Sequence, residues 1–387
     1  MRSSLDLPPP PDELAMLSRE LWTRIVNIIE RDGPIPFSRY MQMALYESGL
    51  GYYVNGLHKF GAAGDFVTAP EEGPLFGQAL AALLDPLAET LGPDWTLLEL
   101  GPGSGALARA LLTSLDRPPA RLLLLEPSAA LREVQRECLA GLTDDLRGRV
   151  EWIDRPPAAF DGAIIGNEVI DALPVERFAI EDDGPYRLGV GVENGRPVER
   201  RLPADDRLRA ALAAIEADLA APLPPGYRSE LCVDLAGWIE TVTAPLERGA
   251  VVLADYGYPR REYYHPERST GTLVCQYRHR AHFDPFCWPG LTDLSSFVDF
   301  TAVADGLVAA GLDPAGFTTQ AGFLLGSGTL DRLEAIEDPA ERARRTGEFK
   351  RLALPGEMGE KFKLIAATRG CALNEAPFLL ADQRDRL

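Results

Sequence analysis

The stretch that most constrains this chain is Trp95-Thr-Leu-Leu-Glu-Leu-Gly-Pro-Gly-Ser-Gly-Ala106. An apolar run contains one acid, Glu99, and then glycines follow at alternate positions, Gly101, Gly103 and Gly105. A helix-forming run from Ala106 to Leu115 comes next. Strand, glycine turn and helix in that order are a unit of α/β folds. Glycine tolerates positive φ and lets a ligand approach the backbone closely. The N–H groups that open the helix have no partner within it, so they point at whatever lies over the turn. Three glycines exceed what a tight turn needs, and a nucleotide-type ligand is expected here.

Spacing alone leaves the nucleotide open. Gly101, Gly103 and Ala106 satisfy the dinucleotide pattern G-x-G-x-x-G/A. Two features lean towards S-adenosylmethionine (SAM). Glu99 stands just before the turn, where dinucleotide strands are normally apolar, and the loop lies well inside the chain rather than near its start.

A chain of 387 residues accommodates one large α/β domain with insertions, or two domains. Its 46% hydrophobic content excludes a disordered chain. No apolar run is long enough to cross a membrane. The N-terminal residues lack a basic-then-apolar signal pattern and are too acidic and Pro-rich for an import sequence, so a cytoplasmic protein is expected, or a mitochondrial-matrix one if the source is eukaryotic. Five scattered cysteines do not make a disulfide framework. A formal net charge of −19 repels phosphate backbones, which disfavours nucleic acid and leaves cationic partners open.

Along the chain, residues 1–12 read as a mobile Pro-rich tail and 13–93 as an N-terminal helical region. Strands at 95–100, 121–125, 150–153 and 162–166 alternate with helices at 104–115 and 128–140. Such alternation predicts a parallel sheet with right-handed crossovers. Residues 175–229 break the pattern with a β-hairpin, Val175–Ile180 against Tyr186–Val192, and a helix from Leu208 to Leu219, and read as an insertion. The α/β pattern resumes over 230–370, with a long loop at 258–297 and one helical stretch from Leu330 to Leu352; residues 371–387 read as a tail.

Ligands in such sheets sit beyond the carboxyl ends of the strands. Those ends carry Glu99, Glu126, Asp154, Asn167 with Glu168, and Asp255 with Tyr256. Glu126 suits both hydroxyls of a ribose, whichever nucleotide is bound. Asp154 suits an adenine amino group. In Asn167-Glu-Val-Ile-Asp-Ala-Leu-Pro174, Asn167 offers a donor and an acceptor, while Glu168 and Asp171 offer acceptors for a cationic substrate. Cys275, His279, His282 and Cys287 follow no common zinc-ligand spacing, and Arg278 and Arg280 would repel a cation, so no metal is expected.

These segments together resemble the MidA-like methyltransferases, a group that includes the mitochondrial complex I assembly factor acting as a protein arginine methyltransferase. The resemblance rests on Gly64-Asp-Phe-Val-Thr-Ala-Pro70, Glu99-Leu-Gly-Pro-Gly-Ser-Gly105, Glu126-Pro-Ser128 with Leu131, Arg132 and Gln135, Asn167 to Pro174, and Asp255-Tyr-Gly257. Pro289-Gly290 with Asp293, Val298-Asp-Phe300, Gln320, Met358-Gly359 and Phe362-Lys363 extend it. It implies a Rossmann-like class I SAM methyltransferase fold, α/β, whose mostly parallel sheet has an antiparallel terminal strand. It implies SAM as cofactor, with Gly64, Asp65, Phe66 and Thr68 closing one side of its pocket. It further implies methyl transfer to an exposed arginine of a protein, a complex I subunit among relatives. On that chemistry Glu168 is the first candidate to align and deprotonate the guanidinium, with Asn167, Asp171 and Asp255 in support. The sequence leaves the oligomeric state open, a homodimer included. Relatives often carry His where this chain has Phe297.

Overall fold

The computed structural model of the chain describes residues 7–56 and 68–387. Residues 1–6 of the expected tail, and Gly64, Asp65 and Phe66, lie outside the described residues. The chain divides into two compact units. One gathers Met1–Phe66, Ile170–Asp234 and Arg260–Asp299; the other gathers Val67–Val169, Leu235–Pro259 and Phe300–Leu387.

The second unit is built on a sheet of strands β1 (Thr96–Leu100), β2 (Arg121–Leu125), β3 (Val150–Ile153), β4 (Phe160–Asn167), β5 (Leu246–Tyr258), β6 (Asp313–Thr319) and β7 (Phe362–Arg369). Their order is β6-β7-β5-β4-β1-β2-β3. β1 to β5 pair in parallel, whereas β7 is antiparallel to both β5 and β6. The central strands are mostly apolar because both faces are covered, with Glu99 the acid inside β1. Helices α1 (Leu75–Leu91) and α2 (Ala106–Ser114) bury Leu80, Leu84, Leu107 and Leu111 with Leu97, Leu122 and Ile165 of the sheet. α3 (Ala129–Leu139) starts at Ser128, whose hydroxyl caps Leu131 N.

The helix expected over Leu330–Leu352 is two helices, Thr329–Glu334 and Pro339–Ala353. Asp338 accepts from Ala340 N and Glu341 N, and Pro339 opens the second helix, so the break is a capped helix start. Residues 371–387 are not a free tail. Ala376–Leu379 is helical, and Phe378 is fully buried with its ring 5.5 Å from that of Phe323.

In the first unit, helices Asp12–Asp32 and Phe37–Tyr46 place Leu21, Ile25, Tyr40 and Met41 in one core with Val175 and Val190. The expected hairpin is present as Glu176–Glu181 against Gly184–Glu193. A third strand, Arg196–Pro203, continues it, and Arg228–Leu231 pairs with the hairpin's other edge. Arg196–Pro203 carries charge and proline where a strand pattern needs alternating apolar residues. Residues Arg260–Asp299, placed by the sequence in the catalytic domain, group with this unit. Thr272 N donates to Glu230 Oε2 at 2.8 Å and Tyr264 Oη donates to Glu230 O at 3.2 Å, which ties the segment to the Arg228–Leu231 strand.

Candidate cofactor and methyl-transfer site

The register of the sheet brings the expected residues into one row. Leu100 pairs with Leu125 and Gly166, Leu125 with Ile153, and Asn167 with Ala254. One step beyond these pairs, Gly101, Glu126, Asp154 and Asn167 therefore line the carboxyl edge, with Asp255 next on β5. This is the edge at which doubly wound sheets take their ligands.

The turn after β1 requires its glycines. Gly101, Gly103 and Gly105 have φ of 56°, 54° and 86°. A Cβ on Gly101 would stand 2.9 Å from Val169 Cγ1, so a side chain there is both strained and obstructed. Gly101 N donates to Leu125 O at 3.3 Å and Gly105 N to Pro102 O at 2.8 Å, fixing the turn at the start of α2.

Glu99 is 2% exposed, and its Oε2 has no hydrogen-bond partner among the described residues. Burial pushes its carboxyl up to about 8. A buried, unsatisfied carboxyl costs stability unless a ligand completes it. Asn167 repeats the pattern on the neighbouring strand. Its Nδ2 donates to Glu168 Oε1 at 2.9 Å, while its buried Oδ1 has no partner among the described residues. Glu168 itself is a non-glycine residue at φ 54°, with its N–H on Ala254 O at 2.8 Å. Such a conformation costs on the order of 1–3 kcal/mol and concentrates at functional sites.

Glu126 is buried, and burial raises its pKa against the opposing pull of its hydrogen bonds. Oε1 accepts from Ser128 N at 2.8 Å and Oε2 from Gln135 Nε2 at 3.3 Å. Gln135, fully buried, also donates to Gly103 O at 2.9 Å and accepts from Trp152 Nε1 at 2.9 Å. One amide thus braces the glycine turn, the β2 carboxylate and β3. Sequence reasoning gave Gln135 no such role. The available signal was a glutamine on the core-facing stripe formed with Leu131 and Leu139, where a polar group must find partners. Gln135→Leu strands the Trp152 indole and the Gly103 carbonyl. It is expected to cost about 1–3 kcal/mol in denaturant unfolding and to weaken S-adenosylhomocysteine binding. Unchanged values of both would remove the bracing role.

The remaining candidates divide. Asp255 is fully buried and accepts from Tyr256 N at 2.9 Å. Asp154 is exposed. Thr68 precedes the short helix Ala69–Glu72 and makes no side-chain cap bond. Asp171 is buried but lies in the other unit, where its carbonyl accepts from Ser296 N at 3.1 Å. Cys275 and His282 are cross-strand partners, and burial raises the thiol and lowers the imidazole. Among the described residues no three His, Cys, Asp or Glu side chains gather as a metal site, and no helix is long and apolar enough to cross a membrane.

Residues 75–318 match the model of an S-adenosyl-L-methionine-dependent methyltransferase family. The chain belongs to this family. A Burkholderia thailandensis protein solved with bound S-adenosylhomocysteine is 39% identical, covers 99% of this chain and 100% of its own, and superposes with a TM-score of 0.91. The curated relatives include protein arginine methyltransferase NDUFAF7, mitochondrial, of Mus musculus, 29% identical over 87% of this chain and 82% of its own. The Danio rerio protein of the same name is 26% identical over 90% and 87%. These relatives are described as mitochondrial, and the cytoplasmic expectation gains no support from them. The fold is that of class I methyltransferases, the cofactor is SAM, and the protein is an enzyme of this family. The dinucleotide reading of the glycine turn falls away. The residues present suit SAM: a glycine cradle at a helix start, an orphaned buried acid beside it, and a buried carboxylate at the end of β2.

Proposed function

We propose that this enzyme methylates an arginine side chain of a protein, with a respiratory complex I subunit as acceptor. The arginine and protein parts follow the names of the curated relatives. The observation that carries the chemistry is Glu168, held in a left-handed conformation at the end of β4 with its carboxylate oriented by Asn167.

In this reading the glycine turn and Glu99 hold the amino-acid end of the cofactor, Glu126 the ribose and Asp154 the adenine. Gly64, Asp65, Phe66 and Thr68 complete the set of cofactor residues that the family resemblance implies. When bound, SAM supplies a methyl carbon made electrophilic by its sulfonium. The guanidinium of arginine is protonated at neutral pH and a poor nucleophile. Glu168 accepts its N–H groups, aligns one nitrogen and takes the proton that nitrogen releases as the N–C bond forms and the methyl's bond to sulfur breaks, leaving the neutral thioether. Asn167 Nδ2 keeps the carboxylate in place for that task. Asp255 adds negative charge in support of a cationic substrate.

Incubation of the enzyme with SAM and purified complex I subunits, followed by amino-acid analysis, tests the acceptor. Methylarginine on one subunit is expected. S-adenosylhomocysteine binding with no methylated amino acid would instead favour a SAM-binding assembly factor without catalysis. Sedimentation of the same preparation tests for the homodimer.

A further inference from the structure

The turn that leads into α1 is fastened at several points, and none of the fastenings belongs to the strand-end row. On one side, Glu71 in the helix Ala69–Glu72 hydrogen-bonds to the Ser104 hydroxyl, inside the glycine turn. Ser104 Oγ in turn accepts from Ala106 N at 3.3 Å, at the first residue of α2. On the other side, Glu72 pairs with Arg351 of the helix Pro339–Ala353. From the same helix Glu348, 1% exposed, accepts from Leu75 N at 2.7 Å and pairs with Arg345. Gly73 has φ 152°, and the space its Cβ would occupy is filled by the Glu348 carboxylate. A carboxylate so deeply buried is costly unless its partners hold it, so its position is closely defined. Glu348 and Arg351 both lie beyond residue 318, where the family match ends.

We propose that Glu348 is a positioning residue for the cofactor, acting through the 71–75 turn and the Glu71–Ser104 hydrogen bond on the glycine loop. The anchored turn sets where Glu71 stands, and Glu71 sets the Ser104 hydroxyl and the start of α2. Helix Pro339–Ala353 thereby fixes the loop that receives SAM without touching the ligand. The proposal rests on the assignment of the glycine turn to SAM.

The test is a double-mutant cycle read by calorimetric S-adenosylhomocysteine binding to the full-length protein. Glu348→Gln is expected to weaken binding about tenfold while KM for the acceptor stays constant. In a Ser104→Ala background the same substitution is expected to change Kd less than twofold, because the connection is already cut. Arg351→Met, which releases Glu72 and leaves Glu348 in place, is expected to weaken binding in the same direction and keeps the proposal testable should Glu348→Gln fold poorly. An equal loss of affinity in both backgrounds would overturn the route through Ser104, and a lower Tm with unchanged Kd would show that Glu348 only stabilises the fold. Wild-type protein that fails to bind S-adenosylhomocysteine would sink the site assignment and this proposal together; wild-type binding with an unaffected Glu348→Gln variant would sink the proposal alone.

Discussion

Glu168→Gln is expected to lower kcat by about 10²–10⁴-fold while leaving S-adenosylhomocysteine affinity within twofold of wild type. Gln keeps the size and one acceptor of the side chain but cannot take a proton. Its carboxamide can also turn an NH2 towards a guanidinium that needs an acceptor. The backbone at φ 54° is an independent reason to look here, because it is unfavourable for a residue with a Cβ. Glu168→Gly relaxes that strain and removes the carboxylate, so it is expected to fold at least as stably as wild type with activity lost. Glu168→Gln turning over at the wild-type rate would transfer the proton-accepting role elsewhere, with Asp255 as the next candidate at the same sheet edge.

Glu99→Gln is expected to move binding and stability in opposite directions. In the free protein burial holds the carboxyl near 8 against an ordinary value of 4.5. The folded state therefore favours the neutral acid, while the unfolded chain ionises from about 4.5 upward. The stability this preference contributes is full below 4.5 and is lost as pH rises through about 8. A neutral Gln has no such loss, so the variant should gain on wild type across that window, by on the order of 1–3 kcal/mol at its upper end. SAM carries a sulfonium and an ammonium, and a cation beside Glu99 favours the carboxylate. Binding at pH 7 should then release a proton, visible as a calorimetric enthalpy that changes with buffer ionisation heat. Glu99→Gln should abolish that buffer dependence and weaken binding about 10–100-fold, the worth of a hydrogen bond to a charged group. A variant that binds as wild type does would remove Glu99 from the site.

The sequence carries the parallel half of this fold openly, because its signals are local. Three alternating glycines, Leu-rich strands and acids at strand ends are each set by a few adjacent residues, and the register turns them into a single row. Where the signal is not local, reading stops short. The Arg196–Pro203 strand exists because the hairpin edge beside it is open, and its own pattern does not announce it. Arg260–Asp299 reads as a long loop because its partners, such as Glu230, are far away in sequence. Phe378 looks like tail until Phe323 covers it. The same holds in the site. Glu99, Glu126, Asn167 and Glu168 were legible as residue types at strand ends. The left-handed backbone of Glu168, the triple duty of Gln135 and the burial of Glu348 against Gly73 are tertiary facts. The break before Pro339 was available from Asp-Pro alone, an N-cap followed by proline at the first helical position.

Methyl transfer from SAM to protein arginine can be observed directly. The most direct measurement supplies tritiated-methyl SAM to an extract with either wild-type enzyme or Glu168→Gln, then maps the labelled residue by mass spectrometry. One labelled protein is expected, with the label on an arginine guanidinium and absent with the variant. Label on lysine, on a carboxyl group or on a small molecule, or label equally strong with Glu168→Gln, would contradict the proposed function.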